Sequence, residues 1–191
     1  PKYAGAYNNR GNAYSQQGNF AQAFSDYNKS IDIDPNYVDT YCSRGTAYSQ
    51  QGNFTQAISD YTRAIEISPN YAKAYYNRGV VYDEQGDFTR AVSDYNKAIE
   101  IKPNYYDAYY NRGIIYHNRG DFTRAISDYT RAIEIHPDYA GSYNNRGVVY
   151  YLMKEYNKAW KDVHKAEELG YKVNPDFLSK LRESHYDRQD L

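Results

Sequence analysis

The residues that could carry chemistry in this 191-residue chain are few and badly spaced for it. His117, His136, His164 and His185 stand at no metal-ligand spacing to one another or to the single cysteine, Cys42. There is no GxSxG, HExxH, CxxC or phosphate-cradling glycine loop. His136 occupies a slot filled elsewhere by Ser68 and Lys102, as a surface residue would, and His117 matches Ser15, Ser49, Asp83 and Tyr151 in register. Acidic neighbours such as Asp83-Glu84 fall at variable positions and read as a solvated face. The inventory argues against an enzyme and calls for no cofactor and no metal.

What does recur is polar and periodic. Asn9, Ser43, Asn77, Asn111 and Asn145 stand 34 residues apart, each followed by the pair Arg-Gly. The arginines Arg10, Arg44, Arg78, Arg112 and Arg146 are matched by Asp26, Asp60, Asp94, Asp128 and Asp162 at the same interval. Pairing between them at half-buried positions is expected, since an unpaired buried guanidinium would be costly; the alternative is that both are solvated.

The elements that must position these residues follow from the same period. Residues 106–139 match residues 72–105 at 22 of 34 positions, and Pro1, Pro35, Pro69, Pro103 and Pro137 mark the interval. A fixed period of this length is the signature of a repeat array. In the copy at 72–105, apolar and small residues recur at three- and four-residue steps over 72–85 and again over 87–101. That spacing predicts two amphipathic helices. Gly86 lies between them, where a left-handed residue can end the first helix, and Asp87 can cap the second. Pro103 stops the second helix. One unit is a helix hairpin, and a hairpin must stack on its neighbours to bury both faces. Gly11, Gly45, Gly79, Gly113 and Gly147 in one helix, and Ala23, Ala57, Ala91, Ala125 and Ala159 in the other, imply close backbone approach. Tyr75, Tyr82, Tyr95 and Tyr105 are expected to fill the layers, with hydroxyls reaching water or a backbone partner at the edge.

The pattern Tyr75-x-x-Arg78-Gly79-x-x-Tyr82, with Gly86, Ala91, Tyr95, Ala98 and Pro103, resembles the tetratricopeptide repeat. The arginine departs from it, standing where leucine is usual. The resemblance covers nearly the whole chain and implies an all-α fold, a right-handed superhelical α-solenoid of helix-turn-helix repeats. Five repeats are expected at 4–37, 38–71, 72–105, 106–139 and 140–173, as one quasi-linear array. Residues 1–3 align with 35–37 and read as the end of a preceding repeat. In the fifth repeat Lys154 replaces the turn glycine and Trp160 enters the second helix. Asn174-Pro175-Asp176 then offers a helix start, and Phe177, Leu178 and Leu181 share one face of a capping helix over 174–185. Residues 186–191 read as a polar tail.

The resemblance also implies that first helices line a concave groove used for protein or peptide partners. At the matching positions, the asparagine series Asn9, Ser43, Asn77, Asn111 and Asn145 suits a peptide main chain, because each amide offers donor and acceptor. The alternative is that these side chains bridge repeats. Other groove positions are small and polar at first: Asn8, Asn12, Cys42, Thr46, Ser49 and Gln50. They then become apolar or aromatic at Tyr76, Val80, Tyr110, Ile114, Val148, Tyr151 and Leu152, which suggests a binding patch or, alternatively, partial packing on neighbouring helices. Lys73, Asp83, Glu84 and Asp107 could add charge selectivity. The family's carboxylate clamp is not expected, since Asn8, Cys42 and Tyr76 stand where its first lysine would be and Lys73 alone survives. The function implied is a non-catalytic interaction scaffold. The alternatives are end-to-end self-assembly through the outer face of the first repeat, and a regulatory segment of a longer protein.

Composition excludes little more. Net charge is −1, which gives no drive toward nucleic acid or an anionic membrane, and no apolar run is long enough to span a bilayer. One cysteine rules out an intramolecular disulfide framework, and the compartment stays open.

Overall fold

The computed structural model describes residues 3–186, with side chains described through Ser184. The expected repeat end at Pro1-Lys2 and the tail from residue 187 lie outside the described residues. The chain forms two compact units that divide after Pro103. The first holds α1 (Ala4–Gln16), α2 (Phe20–Ile33), α3 (Val38–Gln50), α4 (Phe54–Ile67), α5 (Ala72–Glu84) and α6 (Phe88–Ile101). The second holds α7 (Tyr106–Asn118), α8 (Phe122–Ile135), α9 (Ala140–Leu152), α10 (Tyr156–Glu168) and α11 (Pro175–Tyr186). No strand occurs among the described residues. This is an all-α fold of helix-turn-helix repeats, and α11 runs one residue into the expected tail.

Each odd-numbered helix through α9 pairs with the helix after it as a hairpin. In the first unit α1, α3 and α5 lie side by side, and α3 and α5 also pack on the preceding α2 and α4. In the second unit α9 packs likewise on α7 and α8.

The hairpin turn is set by backbone chemistry. Gly86 takes φ +76°, and the N–H of Asp87 donates to the carbonyl of Tyr82 at 2.8 Å, closing the end of α5. The Asp87 carboxylate then accepts from the amide of Arg90 at 3.0 Å and caps α6, as expected. In the fifth repeat Lys154 holds the same left-handed turn at φ 61°. A side chain there is strained, because Cβ crowds the following carbonyl.

The buried core is built from small residues and tyrosines. The five alanines at the shared second-helix position are fully buried, and Tyr27, Tyr61, Tyr95 and Tyr129 are at most 2% exposed. Burying a ring of this size contributes about 2–3 kcal/mol. The first-helix glycines make room for it. A Cβ on Gly11, Gly45, Gly79 or Gly113 would meet the Cε1 of Tyr27, Tyr61, Tyr95 or Tyr129 at 2.7–2.9 Å. In the fifth repeat Val163 stands in place of the tyrosine, and a Cβ on Gly147 would have 3.3 Å to its nearest neighbours. Tyr82 is buried as expected; Tyr75 and Tyr105 are only half-buried.

The recurrent arginines and aspartates form bidentate ion pairs within all five hairpins. In the third, Arg78 Nε and Nη2 donate to Asp94 Oδ2 and Oδ1 at 2.8 and 2.9 Å. The remaining guanidinium nitrogen reaches back one repeat: Arg44 Nη1 donates to Asn28 at 2.6 Å, Arg78 to Thr62 at 3.0 Å and Arg146 to Thr130 at 2.9 Å. Tyrosines flank the guanidinium, as Tyr75 and Tyr82 do for Arg78 at 5.8 and 5.9 Å.

Three outcomes are expected in urea unfolding. Arg78→Ala strands a buried carboxylate and costs about 3 kcal/mol, more than Arg10→Ala, whose arginine side chain is already 52% exposed. Gly113→Ala destabilises more than Gly147→Ala. Lys154→Gly raises stability by about 0.5–1 kcal/mol, the relieved strain being partly offset by the freer unfolded chain. An unchanged midpoint for Arg78→Ala would mean that the pair contributes nothing.

Candidate functional site

In the first unit the first helices of three successive repeats converge on one concave pocket of about 240 Å³. Its lining comes from α1 (Asn12, Ser15, Gln16), α3 (Ser43, Thr46, Gln50) and α5 (Lys73), with Tyr27 of α2 at its base. Several of these groups are held in place by hydrogen bonds to one another. The Tyr27 hydroxyl donates to Asn12 Oδ1 at 2.9 Å, and the Ser15 hydroxyl donates to Gln50 Oε1 at 3.2 Å. Thr46 Oγ1 bonds its own helix at the carbonyl of Cys42, 2.9 Å away, and lies 3.1 Å from the Tyr61 hydroxyl. The amide nitrogens of Asn12 and Gln50 and the ammonium of Lys73 remain as donors.

The expected groove residues are only partly brought together. Ser43 lines the pocket; Asn9 is exposed, and Asn77 and Val80 are half-buried outside its lining. The Tyr76 ring lies against Tyr95, centroids 5.9 Å apart. Asn8 and Cys42, expected as small polar groove residues, are instead 4% and 1% exposed. They point inward, and Cys42 joins the core cluster with Tyr61, Ala74 and Val81. Ser15 and Gln16 were not expected in the site, although they share repeat positions with Ser49 and Gln50, which were.

In the second unit the first-helix face is aromatic and largely self-occupied. Asn145 Nδ2 donates to the Tyr110 hydroxyl at 3.1 Å, and Asn144 Nδ2 donates to Asn145 Oδ1 at 3.1 Å. The Tyr110 ring packs edge-on against Tyr139 at 5.0 Å and lies 6.0 Å from Tyr129. Burial, before any neighbouring charge, pushes the Tyr110 phenol upward from its ordinary pKa. Ile114 packs against the core of α8 and α9, and Tyr151 meets Phe177 of α11 at 5.5 Å. Asn111 and Val148 are half-buried. Asn145 is therefore a strut between repeats, and Tyr110, Ile114 and Tyr151 pack on neighbouring helices while keeping part of their surface open.

Residues 11–52 and 45–86 match a TPR repeat model, residues 72–105 and 106–139 match the tetratricopeptide repeat model, and residues 128–161 match a further tetratricopeptide repeat model. The chain belongs to the tetratricopeptide repeat family. No curated protein matches it significantly. Among solved structures, MamA is 29% identical, with 84% of this chain and 94% of that one covered at a TM-score of 0.76. YrrB, described as a TPR protein with an unusual peptide-binding site, is 22% identical, covering 98% and 93% at 0.69. PilF of Pseudomonas aeruginosa is 20% identical, covering 97% and 86% at 0.86. The last two share the fold.

His117, His136 and His164 of this tetratricopeptide repeat chain each sit against an aromatic ring. His117 is half-buried, edge-on to Phe122, and burial lowers its pKa. The exposed His136 lies tilted against the Tyr106 ring at 4.8 Å, and His164 stacks on Trp160 at 5.1 Å. Among the described residues no cluster of three His, Cys, Asp or Glu could hold a metal ion, and no helix is long and apolar enough to cross a membrane.

Burial pushes the Cys42 thiol up to about 12, so almost no thiolate exists at mildly alkaline pH. A disulfide reagent should therefore react with Cys42 on the order of a hundredfold more slowly in the native protein than in urea. Equal rates in the two states would show that the pocket opens down to α3.

Proposed function

We propose that the chain is a non-catalytic protein-interaction scaffold that binds an extended segment of a partner along the first-helix face of its repeats. The observation that carries this reading is the pocket of the first unit, where residues of α1, α3 and α5 converge on one concavity. One internal hydrogen bond to each amide oxygen fixes the Asn12 and Gln50 side chains, and their amide nitrogens can donate to a ligand. Donors in a row across successive repeats fit the carbonyls of a peptide main chain. Lys73 favours a partner without a cation at that point.

Specificity would come from the half-open side chains beside these donors. In the first unit these are Asn77, Tyr76 and Val80. In the second unit the same role falls to Tyr110, Ile114, Val148 and Tyr151 with Asn111. A tyrosine face gives large contact area at little conformational cost, because its ring has few rotamers to lose. A carboxylate clamp fits poorly, since two of the positions that would carry its first lysine are the buried Asn8 and Cys42.

The test is a peptide-display selection on the full chain, counter-screened on Ser43→Gln/Asn77→Ala. This variant fills the pocket and removes one amide, and unchanged helicity by circular dichroism shows that it is folded. Enriched peptides should bind the variant about tenfold more weakly or worse. Enriched peptides that bind both proteins alike, or a selection that enriches nothing, would overturn the groove reading.

A further inference from the structure

The first helix, α1, leaves open a face that α3, α5 and α9 bury. Its N-cap Tyr3 is followed at three- and four-residue steps by Ala6, Arg10 and Ala13, which places all four along one side of the helix. Tyr3 is 77% exposed, and Ala6 and Ala13 are exposed as well. In the later hairpins the counterparts of Ala6 are Thr40, Ala74 and Ser142, all fully buried. Those of Ala13 are Ala47, Val81 and Val149, at most 1% exposed. The arginines show the same contrast: the side chain is 52% exposed at Arg10 and 15–20% at Arg44, Arg78 and Arg146.

The buried counterparts show what covers this face. In each case the second helix of the preceding hairpin packs on it: α2 on α3, α4 on α5 and α8 on α9. Ala47 clusters with Ala23 and Tyr27, Val81 with Ala57 and Tyr61, and Val149 with Ala125 and Tyr129. Asn28, Thr62 and Thr130 of the covering helices accept from the third guanidinium nitrogen. These helices share one pattern, Ala-x-x-x-Tyr-(Asn or Thr)-x-(Ser or Ala)-Ile, at 23–31, 57–65 and 125–133. At Arg10, Nε and Nη2 donate to Asp26, and among the described residues none accepts from the third nitrogen.

We propose that the outer face of α1 is a stacking surface whose occupant is the second helix of a further tetratricopeptide hairpin of this pattern. The Asn or Thr of that helix accepts from Arg10 Nη1, and its alanine and tyrosine cover Ala13. A second copy of the chain stacked head to tail fits poorly. The last helix of its repeats is α10, where Val163, His164 and Glu167 stand in place of the tyrosine, the Asn or Thr, and the isoleucine. That helix is also covered already by α11, whose Leu181 is fully buried. Tyr3, Ala6, Arg10 and Ala13 line no part of the pocket, so the surface does not rest on the groove reading.

The test adds a hairpin to the full chain. A copy of residues 72–102, which carries the pattern at 91–99, is fused directly ahead of Pro1. The junction Lys102-Pro1-Lys2-Tyr3 then keeps the spacing of Lys102-Pro103-Asn104-Tyr105. In a control fusion the added copy carries Tyr95→Val, Asn96→His and Ile99→Glu, the residues found in α10. Amides of α1 should exchange with deuterium at least about tenfold more slowly in the first fusion than in the unfused chain, and no more slowly in the control. Arg10→Ala should lower the urea midpoint of the first fusion as far as Arg78→Ala does. The proposal is overturned if the first fusion leaves α1 exchange unchanged, if both fusions protect α1 alike, or if Arg10→Ala costs the fusion no more than the unfused chain. It is also overturned if the unfused chain forms a concentration-dependent dimer that Ala6→Gln/Ala13→Gln abolishes, since a second copy would then be the occupant.

Discussion

The structure depends first on the Arg–Asp pair inside each hairpin. Its five copies place a charge-assisted fork between two helices, with aspartate side chains 4–8% exposed and, after the first repeat, arginine side chains 15–20% exposed. Taking both charges out of water is expensive, and attraction offsets that cost only when the geometry satisfies every donor. Here two nitrogens of the guanidinium fork bind the carboxylate, and in Arg44, Arg78 and Arg146 a third binds the preceding hairpin. Lysine could not replace it, because an ammonium has neither the planar fork nor faces for the flanking tyrosines. The balance differs along the array. The Arg10 guanidinium holds the Asp26 carboxyl below its usual value, while at Asp60 and Asp128 burial outweighs the hydrogen bonds and lifts the carboxyl above it.

The glycine and tyrosine of each hairpin solve a related problem of space. Glycine inside a helix costs about 1 kcal/mol against alanine, and the chain accepts this in every repeat. In the first four it makes room for a fully buried tyrosine ring, seated where a Cβ would stand. The tyrosine then needs a partner for its hydroxyl, and in the first two repeats Asn12 and Thr46 supply it from the first helix. These are also lining residues of the pocket, so the core and the candidate site share side chains. Where Val80 and Ile114 take those positions, Tyr76 and Tyr110 lay rings against Tyr95 and Tyr129 instead. The polar character of one face and the aromatic character of the other thus follow from how the same core tyrosine is covered.

Whatever repeats within one hairpin was legible in the sequence. The helices expected at 72–85 and 87–101 occur at 72–84 and 88–101, because glycine, the capping aspartate and proline fix the ends locally. The Arg–Asp pair could be inferred because both residues recur with the same period. Contacts between repeats were harder. Asn145 bonds Tyr110 across 35 residues, one period plus one, and that offset depends on how one hairpin is rotated on the last. The inward direction of Asn8 and Cys42 has the same origin. Composition marked them as small and polar, but which side of a first helix the next hairpin covers is set by stacking, which the periodic pattern does not encode.

Repeats that must stack leave little freedom at buried positions, so function has to be written at residues the period does not constrain. A Cβ added at any of the turn glycines would meet no atom within 4 Å, and only the backbone angle restricts these positions. A side chain there disturbs no packing, and its cost is conformational alone. Lys154 accepts that cost at the one hairpin whose next neighbour is the different helix α11 rather than another repeat. The positive backbone angle therefore explains the glycine in four turns, and the side chain at the fifth carries a conformational cost alone.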